Sequence, residues 1–248
     1  MASFDNPRQD LGPFPHDPIR ELAPDLFFVG ATFKMNPVMS ISRNMVIVRT
    51  GDELTLVNPI RLSSQGETEL EALGRVKHVV RLGSFHGCDD PYVVMRFGAE
   101  FWCQEGSDHY AEPKPDHLLK EGGPLPFPDA ELFEFTEIKK PECAILLKRG
   151  NGVFLTCDGL QHYGDFSRHS IVAKLLMPFL GFGRRMLVGP IWLKGLTKKG
   201  RSVKPDFERL LELDFDALIS AHGTPLMQGA KDAVRAAVDR ANFDVKRK

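Results

Sequence analysis

Short apolar runs separated by turn residues dominate the first hundred positions of the chain. Three of these runs are β-rich and too short for a helix, so they predict strands. The turn Thr50-Gly51-Asp52 indicates a hairpin between the second and third runs. The pattern predicts strands at 26–29, 45–48 and 54–57, a helix at 67–76, a strand at 78–82, a short helix near Pro91 and a strand at 101–103.

The second half of the chain repeats this general plan of strands followed by helices. After a proline-rich, loop-like stretch at 104–130, the pattern predicts strands at 132–138, 144–147 and 152–157, a helix at 206–213, a strand at 217–219 and a helix at 228–242. This order is typical of an α/β protein. We expect an N-terminal arm at 1–22 and a single domain at 23–248 with a helical insertion at about 166–200.

Composition narrows the possible functions. The 248 residues are 42% hydrophobic, which is enough for a full core. With 32 basic and 33 acidic residues the net charge is −1, so we expect no nucleic-acid partner. The N-terminal residues lack the apolar core of a signal peptide, and we expect a cytoplasmic protein. The four cysteines form no Cys-x-x-Cys pair, and we expect Cys103, Cys143 and Cys157 to be buried thiols.

Three polar clusters each follow a predicted strand. They are His86-Gly87-Cys88-Asp89-Asp90, Asp158-Gly159-Leu160-Gln161-His162 and His222-Gly223-Thr224-Pro225. Loops at the strand ends of one sheet edge converge in space, so the clusters can form one site. Imidazole and carboxylate ligands suit zinc, iron or manganese. Two alternatives stay open: His222 as a turn residue bonded to backbone, and Asp158 as a helix N-cap.

The order of these stretches resembles the metallo-β-lactamase-fold hydrolases over roughly residues 24–242. The resemblance is strongest in Phe154-Leu155-Thr156-Cys157-Asp158 and in Ile219-Ser220-Ala221-His222-Gly223-Thr224-Pro225. It implies a four-layer α/β/β/α sandwich with up to two metal ions at one edge of the paired sheets.

The loop after the strand at 78–82 departs from that family's His-x-His-x-Asp-His motif. Its counterpart here is Ser84-Phe85-His86-Gly87-Cys88-Asp89, in which only His86 is retained. The family's next histidine has no counterpart at 138–143, whereas Asp158 and His222 match its bridging aspartate and its last histidine. The resemblance therefore implies a divergent member with a degenerate motif and at most one metal site.

The implied metal ligands are His86, Cys88, Asp89, Asp158 and His222. Asp89 would replace an imidazole, and Cys88 would add a thiolate if a metal lowered its pKa. His86 and His162 are the candidates for orienting water or carrying a proton. The cofactor would be one zinc, iron or manganese ion, and a pocket without metal is the alternative.

Two functions follow from these residues. The first is a metal-dependent hydrolase of a small-molecule substrate. The second is a non-catalytic member of the fold that binds a ligand or an interaction partner without metal. A third class, a membrane-surface protein, is raised by the basic and apolar residues at 171–199. Prolines and glycines interrupt any long helix there, so we expect this segment to cover the site and do not expect a membrane partner.

Overall fold

A seven-stranded sheet forms the first layer of strands in the computed structural model, which describes residues 12–107, 109–110 and 112–244. Its strands lie in chain order: β1 (Arg20–Ala23), β2 (Leu26–Lys34), β3 (Ser40–Thr50), β4 (Glu53–Val57), β5 (Arg75–Val80), β6 (Glu100–Gln104) and β7 (His117–Leu119). The first four strands pair antiparallel, and β4 to β7 pair in parallel. The helices α1 (Ser64–Leu73) and α2 (Asp90–Phe97) provide the crossovers from β4 to β5 and from β5 to β6.

A four-stranded sheet forms the second layer of strands. Its strands are β8 (Ala130–Glu134), β9 (Cys143–Leu147), β10 (Val153–Thr156) and β13 (Ala217–Ser220), in the order β13-β10-β9-β8. A separate pair joins β11 (Leu160–His162) to β12 (Met186–Val188). The remaining helical elements are α3 (Ile171–Leu176), a 3-10 helix (Met177–Leu180), α4 (Pro190–Leu196), α5 (Lys204–Leu210) and α6 (Ala230–Arg240).

Alternating residues of each strand separate the core into layers, because successive strand side chains point to opposite faces. Between the sheets lie Leu26, Val46, Val48, Ile145, Leu147, Leu155 and Ile219. On the outer face of the first sheet, Phe27, Ile47 and Leu56 pack with Leu70 of α1 and Val93 of α2. On the outer face of the second sheet, Leu146, Phe154 and Leu218 pack with Phe207 of α5 and Val234 of α6. This layering confirms the predicted α/β/β/α sandwich.

The predicted elements differ from their observed counterparts mainly at their ends, and the short strands β1, β7, β11 and β12 were not predicted. The first helix begins at Ser64, where the Ser63 side chain accepts a hydrogen bond from the Gly66 N–H, and it ends at Leu73 before Gly74. The predicted strand at 132–138 runs from Ala130 to Glu134. Positions 20–22 of the predicted arm belong to β1, which pairs with β2, while positions 1–11 lie outside the described residues.

Positions 166–200 fold as α3, the 3-10 helix, β12 and α4. Proline and glycine keep these helical segments short. Pro178 lies in the first turn of the 3-10 helix, and the helix ends at Gly181, which has a left-handed φ. None of the helices in the described ranges has the length and apolar character needed to cross a membrane.

Candidate metal centre and cavity

Three loops meet at one edge of the two sheets because the strands before them end there. β10 and β13 pair in parallel, with Thr156 opposite Ser220, so the chain leaves both strands at the same end. The loop after β5 reaches this edge from the first sheet, where Gly83 bridges Glu142 just before β9. Side chains that follow these three strands are therefore brought together.

The imidazoles of His86 and His222 converge on the carboxylate of Asp158. Nε2 of His222 lies 3.1 Å and Nε2 of His86 lies 3.3 Å from the same oxygen, Oδ1 of Asp158. One ligand atom from each residue lies within 4.8 Å of the other two. Both histidines are buried, and Asp158 is half-buried. Two imidazoles and one carboxylate form a ligand set that suits zinc, iron or manganese.

A backbone contact fixes the orientation of His222. Its Nδ1 donates a hydrogen bond to the carbonyl oxygen of Ser42 at 2.6 Å, and the Ser42 hydroxyl accepts one from the Gly223 N–H at 2.7 Å. With a proton on Nδ1, the neutral ring presents the lone pair of Nε2 to Asp158. Two lone pairs facing each other at 3.1 Å repel, so a proton or a metal ion belongs between them. Metal-binding histidines in proteins make this same contact to a carbonyl through their other nitrogen.

Burial and charge set the ionisation of this cluster. Burial opposes ionisation of Asp158, but the imidazoles of His86 and His222 outweigh it and hold the pKa of Asp158 well below its usual range. Burial also lowers the pKa of His86, although the nearby carboxylate of Asp158 partly offsets this effect. An ionised carboxylate and a neutral imidazole are the forms that bind a metal ion.

Cys88 and Asp89 contact Arg43 of β3 and do not join the converging ligand atoms. From Nη1 the guanidinium donates to Sγ of Cys88, and from Nη2 it donates to the carbonyl oxygens of Pro59 and His86 at 3.0 and 2.9 Å. The carboxylate of Asp89 lies 3.6 Å from Nη1. Burial raises the pKa of the Cys88 thiol, so the thiolate that would bind a metal is disfavoured.

His162 lies in β11 and holds the turn that carries His222. Its Nδ1 donates to the carbonyl oxygen of Thr224 at 3.0 Å, and its own carbonyl accepts from the Thr224 N–H at 2.8 Å. Its side chain is not among the described residues that line the cavity next to the cluster. The geometry therefore gives His162 a positioning contact at a distance from the three converging ligands.

Glu142 is a buried carboxylate that the sequence pattern did not reveal. It is 2% exposed, and its Oε1 accepts a hydrogen bond from the Gly159 N–H at 2.6 Å. Together with Cys157 and Asp158 it forms a second group of ligand atoms within 4.8 Å of one another. Burial and the charge of Asp158 raise the pKa of Glu142 well above its usual range, which favours the protonated carboxyl. The sequence feature that could have indicated a buried carboxylate is the position of Glu142 directly before the apolar run Cys143–Leu147.

The side chains of His86, Asp158 and His222 line a cavity of about 440 Å³. Its walls come from the β2–β3 hairpin and from the segment 173–196, so part of the predicted insertion covers the site. A second cavity of about 470 Å³ borders the turn after His222 and is lined by charged residues such as Asp17 and Arg168. Of the two cavities, only the first is lined by His86 and Asp158, so it is the candidate binding site.

No family model and no curated protein match this chain. Solved structures are similar to it over nearly their whole length. The metallo-β-lactamase DIM-1 superposes with a TM-score of 0.62 at 10% identity, covering 92% of this chain and 99% of its own. FIM-1 from Pseudomonas aeruginosa, in its mono-zinc form, gives 0.61 at 9% identity, with 93% and 97% covered. A metallo-β-lactamase from Erythrobacter litoralis gives 0.55 at 11% identity, with 89% and 90% covered.

Proposed function

We propose that this chain, which has the metallo-β-lactamase fold, is a hydrolase that acts on a small molecule with one bound transition-metal ion. His86, Asp158 and His222 would hold that ion. The observation that carries the proposal is the convergence of two Nε2 atoms on one carboxylate oxygen, at 3.1 and 3.3 Å, on the wall of a cavity. The repulsion between the lone pairs of His222 and Asp158 supports a cation at this point.

The residues fit one ion and not two. Two imidazoles and one carboxylate leave a coordination position open, which is the arrangement of catalytic sites. The other two candidates, Cys88 and Asp89, already bond to the guanidinium of Arg43, Cys88 through a hydrogen bond and Asp89 through an ion pair. A second metal ion among these residues would place its charge beside that guanidinium, which opposes binding by repulsion. The ion would be zinc, iron or manganese, since these metals accept imidazole together with carboxylate.

A metal ion in this position supplies a Lewis acid that polarises a carbonyl or phosphoryl group and makes water nucleophilic near neutral pH. The chain contributes the rest. Ser42 holds the His222 ring with Nε2 toward the centre. Arg43 fixes the backbone of the loop that carries His86 through its hydrogen bond to the His86 carbonyl.

A non-catalytic ligand-binding protein without metal is the second candidate. It is favoured by the same short distances, because a proton between Nε2 of His222 and Oδ1 of Asp158 satisfies both groups as an ion pair. The contacts of Arg43 to Cys88 and Asp89 would then be part of a pocket that has lost its metal. The two candidates differ in one measurable quantity, the metal content of the folded protein.

Metal content of purified protein tests the proposal. We expect no more than about one equivalent of zinc, iron or manganese. Asp158→Ala and His222→Ala should lose it, together with the part of the melting temperature that a chelator removes, because a bound metal stabilises the folded state by mass action. Cys88→Ser is the matched control on the same edge and should keep the metal.

Three results would contradict the single-metal hydrolase. Two tightly bound equivalents would show that Arg43 does not exclude a second ion. Unchanged metal content in both Asp158→Ala and His222→Ala would place the site elsewhere. Wild-type protein that holds no metal, takes up none from a zinc titration and shows no chelator effect would leave the ligand-binding candidate.

A further inference from the structure

The walls of the 440 Å³ cavity are apolar and come from two parts of the chain. The β2–β3 hairpin contributes Phe33, Met35, Met39 and Ile41. The facing wall contains Leu176, Met177, Leu180, Phe182 and Ile191. Unbranched methionine side chains adapt to irregular apolar shapes. A cavity with such walls gains its binding free energy from the burial of apolar surface.

The two walls are joined by hydrogen bonds at Ser170, the residue that precedes α3. Its N–H donates to the carbonyl oxygen of Ser40 at 3.1 Å, and its hydroxyl accepts from the Ser40 N–H at 3.2 Å. The hydroxyl also donates to the Val38 carbonyl at 3.1 Å. These contacts hold the hairpin against the start of the helical segment, so the cavity is formed before a ligand enters.

Three polar side chains of the wall, those of Tyr163, Gln161 and Tyr110, are hydrogen-bonded within the protein. The hydroxyl of Tyr163 donates to Oε1 of Gln161 at 2.8 Å, and Nε2 of Gln161 donates to the Asp158 carbonyl at 3.0 Å. The hydroxyl of Tyr110 donates to the Phe85 carbonyl at 3.2 Å. These bonds engage the three side chains before a substrate arrives. The walls therefore favour an apolar chain or ring over a sugar or a peptide.

The charges next to the cavity disfavour an anionic ligand. Among the lysine and arginine residues of the described chain, only Arg43 lines this cavity. Its guanidinium already forms hydrogen bonds to Cys88 and two carbonyl oxygens and an ion pair with Asp89. Asp158, the other charged group of the lining, is negative and is one of the three residues proposed to hold the metal. Away from that centre, a carboxylate or phosphate on the ligand would lose its hydration without gaining an ion pair.

We infer that the cavity binds neutral substrates with a medium-length apolar chain or ring attached to a hydrolysable carbonyl, such as alkyl esters and lactones. The identity of the reacting carbonyl rests on the proposed function, whereas the apolar, uncharged character of the group rests on the walls alone. The carbonyl would lie at His86, Asp158 and His222, and the apolar group would lie between the hairpin and the helical segment. Hydrolysis breaks the acyl carbon–oxygen bond with water, which gives a carboxylic acid and an alcohol.

Binding and hydrolysis can be measured separately on the wild-type protein. Calorimetric titration with 1-butanol, 1-hexanol and 1-octanol tests the cavity, and we expect the Kd to fall about fourfold for each added CH₂ group. Octane-1-sulfonate, an anion that ligates metals weakly, should bind at least tenfold more weakly than 1-octanol. The p-nitrophenyl esters from acetate to octanoate test the reaction, and kcat/KM should rise along the series.

Neighbouring leucines of α3 provide a matched pair of variants. Leu176 lines the cavity and is 46% exposed, whereas Leu175 is 65% exposed and is not part of the cavity wall. Both side chains reach solvent, so a glutamate at either position is compatible with folding. Leu176→Glu should weaken 1-octanol binding about tenfold or more, and Leu175→Glu should leave it unchanged.

The outcomes separate the two proposals. Chain-length-dependent alkanol binding without ester hydrolysis supports the apolar cavity and counts against the hydrolase. Ester hydrolysis with no dependence on chain length, or equal binding of the sulfonate, overturns the inference and leaves the hydrolase standing. Loss of 1-octanol binding in Leu175→Glu but not in Leu176→Glu would also overturn it, because the ligand would then lie outside the cavity.

Discussion

The guanidinium of Arg43 lies 3.6 Å from the carboxylate of Asp89, with side chains only 5% and 11% exposed. The two residues come from different parts of the fold, a strand of the first sheet and the loop after β5. This ion pair, together with the contact to Cys88, places a permanent positive charge of the chain beside the candidate metal centre. The protein thus provides its own cation for two side chains that could otherwise bind a metal.

Removal of this cation should destabilise the fold strongly. We expect Arg43→Met to lower the free energy of unfolding by about 3–5 kcal/mol, because it leaves Asp89 buried without its partner. The double variant Arg43→Met with Asp89→Asn should recover part of the loss, since the unpaired charge is gone. Urea unfolding monitored by circular dichroism measures both values.

Arg75 offers a matched control for that experiment. It pairs with Glu53 at 2.7 Å, but its side chain is 68% exposed. Because exposed pairs contribute about 0–1 kcal/mol, Arg75→Met should change stability little. Equal losses in Arg43→Met and Arg75→Met would contradict the role given to the buried pair.

The raised pKa of Glu142 predicts different effects on stability for two substitutions. Glu142→Gln should change the unfolding free energy by less than about 1 kcal/mol near pH 5, because an amide replaces a carboxyl of the same shape. Glu142→Ala leaves the Gly159 N–H without its acceptor and should cost about 1–3 kcal/mol.

The pH dependence of the Glu142 variants provides the check. A raised pKa means that the folded state keeps a proton that the unfolded chain releases above about pH 4.3. The wild type should therefore lose stability relative to Glu142→Gln as the pH rises above about 5. A constant difference across that range would indicate that Glu142 is ionised in the folded protein.

His169 should make the protein sensitive to mild acid. It is buried against the rings of Tyr163 and Phe166, and neither ring nitrogen has a hydrogen-bond partner in the described part of the chain. Burial lowers the pKa of His169 to about 4. Below about pH 6.5 the unfolded chain takes up a proton that the folded state does not, so stability falls until about pH 4, where both states are protonated.

His169→Phe should remove the part of the acid-induced loss of stability that is due to His169. Between about pH 7 and pH 5 the wild type should lose on the order of 1 kcal/mol more stability than the variant, after allowance for solvent screening of the ring. Urea unfolding at several pH values gives the comparison. Parallel curves for the two proteins would show that the ring of His169 does not control the acid sensitivity.

Gly223 is required by the turn that carries His222. Its φ is +77°, and a Cβ at this position would overlap the carbonyl oxygen of His162. Gly223→Ala should therefore cost more than about 2 kcal/mol and lower the metal content, because the His222 ring would move. Gly51 is the control: its φ is +61° with open space around it, so Gly51→Ala should cost only about 1 kcal/mol. Thermal unfolding and metal analysis of both variants distinguish backbone strain alone from displacement of His222.

The apolar pattern of the sequence determined the α/β class and the approximate places of most strands, and the resemblance to a known fold family implied the layered architecture. Runs such as Cys143–Leu147 and Val153–Thr156 are buried throughout, and the apolar pattern is local information that the chain carries before it folds. The observed ends of the elements differ from the predicted ends by a few residues. A helix end is set by single capping hydrogen bonds, such as the one that Ser63 accepts, and the periodicity of apolar residues does not reveal them. The parallel strands β10 and β13 then bring Asp158 and His222 to one edge, as the position of each residue just after a strand predicts.

Only the tertiary structure decided which polar side chains meet. Cys88 and Asp89 lie two and three residues after His86, yet they contact Arg43, which is more than forty positions away in the sequence. Glu142 enters the cluster because β9 runs antiparallel to β10 and therefore begins where β10 ends. Buried charges require partners, and the partner is chosen by the packing of distant strands and loops, which spacing along the chain does not encode.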